Sequence, residues 1–365
     1  MATILFATWD GGGNVPPLLG IASELGRRGH TVRVVGHEGQ AGTVADAALD
    51  FTPYPTARPF TSRRNNPPWT LAATWGGADL GRDVVDRART IGADLVVVDC
   101  LLPGAMQALA RAGIRYVVVE HLFDAFLSSM RKGPLGLLVR LRGVDWAAGL
   151  DGAAARLVAS LPSLDPACRH PDNVEFTGPV VDGRPATPDE PTILLSLSTY
   201  AYSGLSAALQ RVLDATAELP ARVVVTTGPV VDPATLRLPD NATAHRWMPH
   251  ADLMPGVSLV VGHGGHSTTM LALAHDLPLL VLPMHPLVDQ PMVGKAVEAA
   301  GAGRRLAKKS SPRALRPVIE ELLGEGAHRS AAAGLGAEIR ALRGPATAAD
   351  RIEALVGNGV RQAQG

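Results

Sequence analysis

The chain has 365 residues, enough for two domains, and its 34 Lys and Arg balance 34 Asp and Glu. Zero net charge excludes the global field expected of a protein that binds nucleic acid or anionic membrane. Two cysteines, Cys100 and Cys168, support neither a disulfide framework nor a metal site. No apolar run is long enough to span a membrane, and the N-terminus lacks the basic flank of a signal peptide. A cytoplasmic protein is expected.

In chain order, an apolar strand over residues 3–7 ends in a glycine turn, Gly11-Gly12-Gly13. Leu18, Leu19, Ile21, Ala22 and Leu25 carry a helical period over residues 16–28, and a strand follows over 31–36. Residues 52–79, with Pro67, Pro68, Trp69 and Trp75, show no clean period and read as a long loop. Strands are predicted over 94–99 and 116–120 with a helix between them, an alternation that implies parallel strands. The proline-rich stretch DGRPATPDEP, residues 182–191, reads as a linker. Strand 192–197, a helix around 205–215 and strand 222–227 open a second set of such units. Ser311-Pro312 starts a helix to about residue 323, and a last Ala-rich helix is expected over 346–356. Small-molecule sites favour the cleft between two such halves.

The richest segment runs from Val261 to Gln290. An apolar run ends in His263-Gly264-Gly265, and Ser267, Thr268 and Thr269 open a helix. A second apolar run then closes on Pro283, with Asp289-Gln290 beyond it. Ligands of open α/β sheets sit at the carboxyl ends of strands, and a helix N-terminus after glycines suits an anion. The pattern asks for a phosphate on the first turn and a hydroxyl-rich group near the second.

Trp247-Met248-Pro249-His250, His263-Gly-Gly, Thr268, Pro278, Pro283 and Asp289-Gln290 resemble the donor-binding signature of glycosyltransferase family 1. Gly178-Pro179 before the linker and Ser196-Leu-Ser-Thr199 after it extend the similarity over the chain. The resemblance implies an α/β GT-B fold, two Rossmann-like domains with parallel sheets facing a cleft. It places an acceptor-binding domain at 1–182, a linker at 183–191 and a nucleotide-sugar domain at 192–345. A C-terminal helix and tail, 346–365, is expected to pack back on the first domain. By the same resemblance Trp247 stacks on the nucleobase while the Met248 backbone reads its edge. His263, Gly264, Gly265, His266, Ser267 and Thr268 receive the diphosphate, with Thr199 and Thr227 at two further strand ends. Asp289 and Gln290 read sugar hydroxyls. An imidazolium at 263 stabilises the leaving diphosphate, so no metal and no other cofactor is expected. A core tryptophan, a structural histidine and a helix-capping Asp-Gln pair are the competing readings.

Two positions depart from the family. Leu271 stands where a ribose-clasping Glu is usual, which favours a dTDP-deoxysugar over a UDP-sugar. Asn14 stands where the family carries its catalytic His, and an amide takes no proton at neutral pH. Asp10, Asp99 and His121 are the remaining candidates for a base, with Asp124 nearby in sequence. The expected activity is inverting transfer to a small aromatic or polyketide-like acceptor, O- or C-linked, by a monomer or homodimer. The alternative is a non-catalytic relative that binds nucleotide and activates another enzyme. A dinucleotide-dependent oxidoreductase is disfavoured, because Gly11-Gly12-Gly13-Asn14 is not the G-x-G-x-x-G turn.

Overall fold

The computed structural model describes residues 1–64 and 66–363. They form two compact units. One comprises most of residues 1–180 with the chain from Leu342 onward, and the other comprises Val181–Ala341.

The first unit's sheet holds β1 (Thr3–Ala7), β2 (Thr31–Gly36), β3 (Asp50–Pro53), β4 (Leu95–Asp99), β5 (Tyr116–Glu120), β6 (Arg156–Val158) and β7 (Val174–Phe176). Their order is β3-β2-β1-β4-β5-β6-β7, parallel throughout. The second unit's sheet holds β8 (Thr192–Ser196), β9 (Arg222–Thr226), β10 (Ala242–His245), β11 (Leu259–Gly262), β12 (Leu279–Val281) and β13 (Gly303–Arg305). Its order is β10-β9-β8-β11-β12-β13, again parallel.

Valine-rich runs make this arrangement stable. β4 and β5 are buried along their whole length, as strands covered on both faces must be. Alternation then sorts the side chains: Leu5, Ala7, Val96 and Val98 enter one core layer, while Ile4, Phe6 and Val97 enter the opposite one. Burying each large apolar side chain is worth about 1.5–3 kcal/mol. Strand order reverses between β1 and β4, and again between β8 and β11. Each reversal opens a crevice at the strands' carboxyl ends, and the candidate residues cluster at those two places.

Three expectations are corrected. Residues 52–79 are not one long loop, because Pro68–Trp75 forms a helix and β3 reaches Pro53. Asp83 holds the intervening segment, accepting from the Thr56 amide at 2.9 Å and the Ala57 amide at 2.8 Å. Tyr54, Phe60 and Trp75 are buried there and anchor the segment to the core, while Trp69 stays 67% exposed. Residues 182–191 have no regular structure, yet they do not hang free. The Ala186 amide donates to His275 O at 3.0 Å and the Thr187 amide to Pro255 O at 2.9 Å, which seats the segment on the second unit. The last helix is longer than expected, Gly344–Ala363.

That last helix packs on helix Val15–Arg27 in the first unit, burying Ala348, Ala349 and Ile352. Arg28 Nη1 donates to Asp350 at 2.6 Å and to Glu353 at 2.8 Å, and Arg351 pairs with Glu175 at 2.7 Å. Among the described residues no helix is long and apolar enough to cross a membrane.

Candidate active site

In the second unit the chain leaves β11 through His263-Gly264-Gly265 and enters helix His266–Ala274. Gly264 has φ +84°, and a Cβ there would stand 2.9 Å from the Gln290 carbonyl oxygen, so only glycine fits the turn. The helix has no side-chain cap at Gly265, which leaves its first amides directed out of the strand end. Ser267 and Thr268 lie half-buried on that first turn. The His263 ring lies over Gly265, and its Nδ1 is buried without a hydrogen-bond partner. Burial pushes the pKa of His263 down to about 4, against an opposing pull from the Ser196 backbone and with a further push from His250. The ligand-free site therefore holds a neutral imidazole. The imidazolium expected beside a leaving diphosphate concerns the occupied site, because nothing near His263 offsets burying a charge until an anion arrives.

The neighbouring strand ends complete this wall. Thr199 is exposed after β8. Thr227 is buried, and its hydroxyl donates to Gly228 O at 3.3 Å, so the hydroxyl turns into its own loop and away from a phosphate. Thr226 and His250 instead meet, with Oγ1 to Nε2 at 3.1 Å. Trp247 is 71% exposed, which removes the core reading and leaves a bare indole face beyond β10. Met248 beside it is half-buried.

Asp289 and Gln290 divide their expected task. Gln290 is buried, and its Oε1 accepts from the Met284 amide at 2.8 Å and the His285 amide at 3.2 Å. That carbonyl holds the loop after β12 and is not presented to a sugar. Asp289 sits half-exposed at the start of helix Gln290–Ala299 and makes no side-chain cap. Tyr202 approaches both: burial pushes its phenol up to about 12, Asp289 adds to the rise, and a hydrogen bond with Gln290 opposes it. The Tyr202 ring lies 5.9 Å from the His285 ring. Tyr202 and His285 were missed from sequence because neither belongs to a periodic or motif position. Only proximity to Asp289 reveals them.

In the first unit, the turn after β1 brings Asn14 onto Asp99 at the end of β4. Asn14 Nδ2 donates to Asp99 Oδ2 at 2.7 Å and to Trp9 O at 3.0 Å. These acceptors fix the amide's orientation, and Asn14 Oδ1 is left buried without a partner. Asp99 Oδ1 accepts from the Leu101 amide at 2.9 Å, and His121 Nε2 lies 3.2 Å from the same oxygen. Asn14, Asp99 and His121 are thus assembled as one cluster. Asp10 is not part of it: its amide donates to His37 Nδ1 at 3.3 Å, and its carboxylate lies against Gly39. Asp124 belongs to a separate buried network, 2.5 Å from Arg156 Nη2 and 2.8 Å from His170 Nδ1. Beside the turn, Trp9 packs on Phe60 at 5.2 Å and on Trp75 at 5.3 Å.

Burial works against charge on His121, but Cys100 and Asp99 outweigh it and raise its pKa well above the usual value. Burial pushes the Cys100 thiol up to about 11, while the neighbouring His121 pulls it the other way. A raised folded-state pKa stabilises the fold fully below the unfolded value of about 6.5 and progressively less as pH climbs through the folded value. His121→Gln is therefore expected to lose most stability, relative to the native chain, near pH 6. Urea melts should show that gap shrinking toward alkaline pH, and a gap that widens would refute the ion pair.

Asp99, Cys100 and His121 also place their donor atoms within 4.8 Å of one another. A metal fits poorly there. All three are buried, and both Asp99 oxygens already accept hydrogen bonds.

Comparison with known proteins gives this geometry a context. Residues 210–355 match the family described as erythromycin biosynthesis protein CIII-like, C-terminal domain. The chain is 27% identical to 4'-demethylrebeccamycin synthase of Lentzea aerocolonigenes, over 97% of this chain and 100% of that one. Other curated glycosyltransferases are matched over 30–45% of their own length. The calicheamicin glycosyltransferase CalG4 superposes with a TM-score of 0.79 at 25% identity, covering 98% of each chain. The glycosyltransferase VinC, solved in complex with dTDP, superposes with a TM-score of 0.75 at 21% identity over 98% of this chain and 100% of that one.

Proposed function

We propose how this chain, a GT-B glycosyltransferase of natural-product type with an EryCIII-like C-terminal domain, carries out its reaction. The second unit binds a nucleoside-diphosphate sugar, dTDP-deoxysugar in preference to UDP-sugar. Leu271 in place of a ribose-clasping acid and the dTDP bound by VinC support that preference. The base lies on the Trp247 face. The diphosphate takes the N-terminal amides of helix His266–Ala274 and a hydrogen bond from His263, and the sugar lies against Asp289. Helix N-terminus and imidazole meet the diphosphate's charge, so the reaction needs no metal or other cofactor.

A small aromatic or polyketide-like acceptor is bound by the first unit, near Asn14. The fixed Asn14 carbonyl accepts a hydrogen bond from the acceptor's own O–H or N–H and orients it. Attack by the acceptor oxygen or carbon forms the new bond to the anomeric carbon. The bond to the diphosphate breaks on the opposite face, with its electron pair leaving on phosphate, and the proton that the attacking oxygen or carbon sheds passes to bulk water, since the Asn14 amide takes none. No residue need become covalently attached, and the outcome is inversion.

The observation that carries this reading is the uncapped helix N-terminus with a buried, unpartnered imidazole nitrogen beside it. A thermal-shift screen of dTDP, UDP and GDP tests it, because a ligand that binds the native state raises the melting temperature. The largest rise is expected with dTDP, and no rise with any of the three would overturn the reading. Sugar transfer by the purified chain alone separates an enzyme from a nucleotide-binding activator.

Trp247→Ala is expected to weaken dTDP binding by about 1–3 kcal/mol, the usual worth of one base–aromatic stack. Trp247→Phe should recover most of that loss in isothermal titration. Equal affinity of the Ala variant would remove the indole from the site.

A further inference from the structure

The Trp9 side chain is fixed in place, yet its one polar atom is unused. The Trp9 carbonyl accepts from the Gly11 amide at 2.8 Å, from Asn14 Nδ2 at 3.0 Å and from Gln40 Nε2 at 3.2 Å, which holds the backbone under the ring. The indole itself is buried, tilted on Phe60 and edge-to-face with Trp75. Its Nε1 has no hydrogen-bond partner among the described residues. A buried N–H without an acceptor destabilises a fold, and phenylalanine would fill the same aromatic cluster without that penalty.

Asn14 leaves the complementary atom, since its Oδ1 is an acceptor that is also buried without a partner. The two groups meet at the glycine turn. A Cβ on Gly11 would stand 2.8 Å from Trp9 Cε2, the ring carbon bonded to Nε1, and 2.6 Å from Asn14 Oδ1. Indole edge and amide carbonyl thus border one point, and they make no hydrogen bond to each other. Gly11 and Gly12 are half-buried and Gly13 is exposed, so the pair lies beside a part of the turn that solvent reaches. A fixed donor and a fixed acceptor, adjacent and both unsatisfied, suit a third group that accepts from one and donates to the other.

A hydroxyl does both through a single oxygen. Its hydrogen goes to Asn14 Oδ1, one lone pair takes the Trp9 N–H, and the second lone pair is left to attack. An amide nitrogen has no lone pair to spare for the indole, and an aromatic carbon has neither a lone pair nor a hydrogen to donate. Resting on the reading that the first unit binds the acceptor at Asn14, we propose that Trp9 Nε1 donates to the attacking oxygen and that the acceptor is a phenol joined through that oxygen. The aromatic walls of Trp9, Phe60 and Trp75 suit the ring beside the hydroxyl. Asn14 orients the neutral phenol, and Trp9 stabilises the anion once the proton has passed to bulk water. The phenolate oxygen then forms the bond to the anomeric carbon as the diphosphate leaves with its electron pair.

Trp9→Phe keeps an aromatic ring and removes the N–H. Transfer from dTDP-rhamnose to 4-nitrophenol should show a kcat that rises with pH as the bound phenol ionises. In the variant that rise is expected about one pH unit higher, so kcat falls about tenfold on the acidic side and recovers above it. With the weakly acidic 4-methoxyphenol the loss should persist across the range. The pH of the rise does not depend on how much of the variant is folded, so a stability loss leaves the readout intact. Affinity for dTDP should stay constant. The same fractional loss at every pH and with both phenols would reduce Trp9 to packing and overturn the proposal. A chain that binds dTDP but transfers only to carbon or nitrogen acceptors, or to neither phenol, would overturn it as well. Failure to bind dTDP would instead sink the reading on which the proposal rests.

Discussion

Replacing His263 with Ala is expected to lower kcat/KM for sugar transfer by about 100- to 1000-fold, the range typical for removing one preorganised donor from a developing oxyanion. The loss should fall mainly on kcat, because charge on the diphosphate grows as the glycosidic bond breaks. The fold should survive, since the ring lies against a glycine turn and contributes no core layer. The neutral state of His263, with its pKa near 4, adds a second readout. An arriving diphosphate favours the charged imidazole, so its pKa rises on binding. Near pH 6, titration of dTDP in buffers of different ionisation enthalpy should reveal proton uptake by the native chain and less by His263→Ala. Unchanged turnover in the variant would sink the assignment of this site to the donor.

Removing the Asp99 carboxylate is expected to have the largest effect in the first unit. In Asp99→Ala the Asn14 amide, the Leu101 amide and His121 all face a void. Stranding a buried charge in this way costs about 3–5 kcal/mol, visible as a lower urea midpoint. Asp99→Asn isolates function from stability. Its carbonyl can still accept from Leu101, but its amide then confronts the Asn14 amide, and the Asn14 side chain must flip to avoid opposing N–H groups. The flip turns an N–H toward the acceptor where a carbonyl stood. Acceptor KM should rise while dTDP affinity in the second unit stays constant. Full activity of Asp99→Asn would show that the Asn14 carbonyl orients nothing.

The donor site was more legible than the acceptor site, for a physical reason. His263-Gly264-Gly265 and Trp247 are tied to backbone geometry, a strand end and an uncapped helix, and backbone geometry leaves a pattern in residue type. Side-chain engagement leaves none. Gln290 carries the residue type of a sugar reader, yet its carbonyl is taken up by two loop amides. Asn14 and Asp99 are 85 positions apart, and only strand order places them in contact. The low pKa of His263 in the free chain was not legible, because burial, absent from any motif, sets it. The helix at Pro68–Trp75 escaped for another reason: it spans 8 residues, too few turns for an apolar period to emerge.

The last helix gives the chain a direction in time. Residues 181–341 form a complete unit, whereas the first unit's core includes Ala348, Ala349, Ile352 and Val356. During synthesis the second unit is therefore finished first, while the N-terminal unit waits for its final helix. Until then a strip of apolar surface along helix Val15–Arg27 stays uncovered. Translation that stops before the last helix leaves the nascent chain with a closed donor half and an unsealed acceptor half, which is where a chaperone would have to hold it.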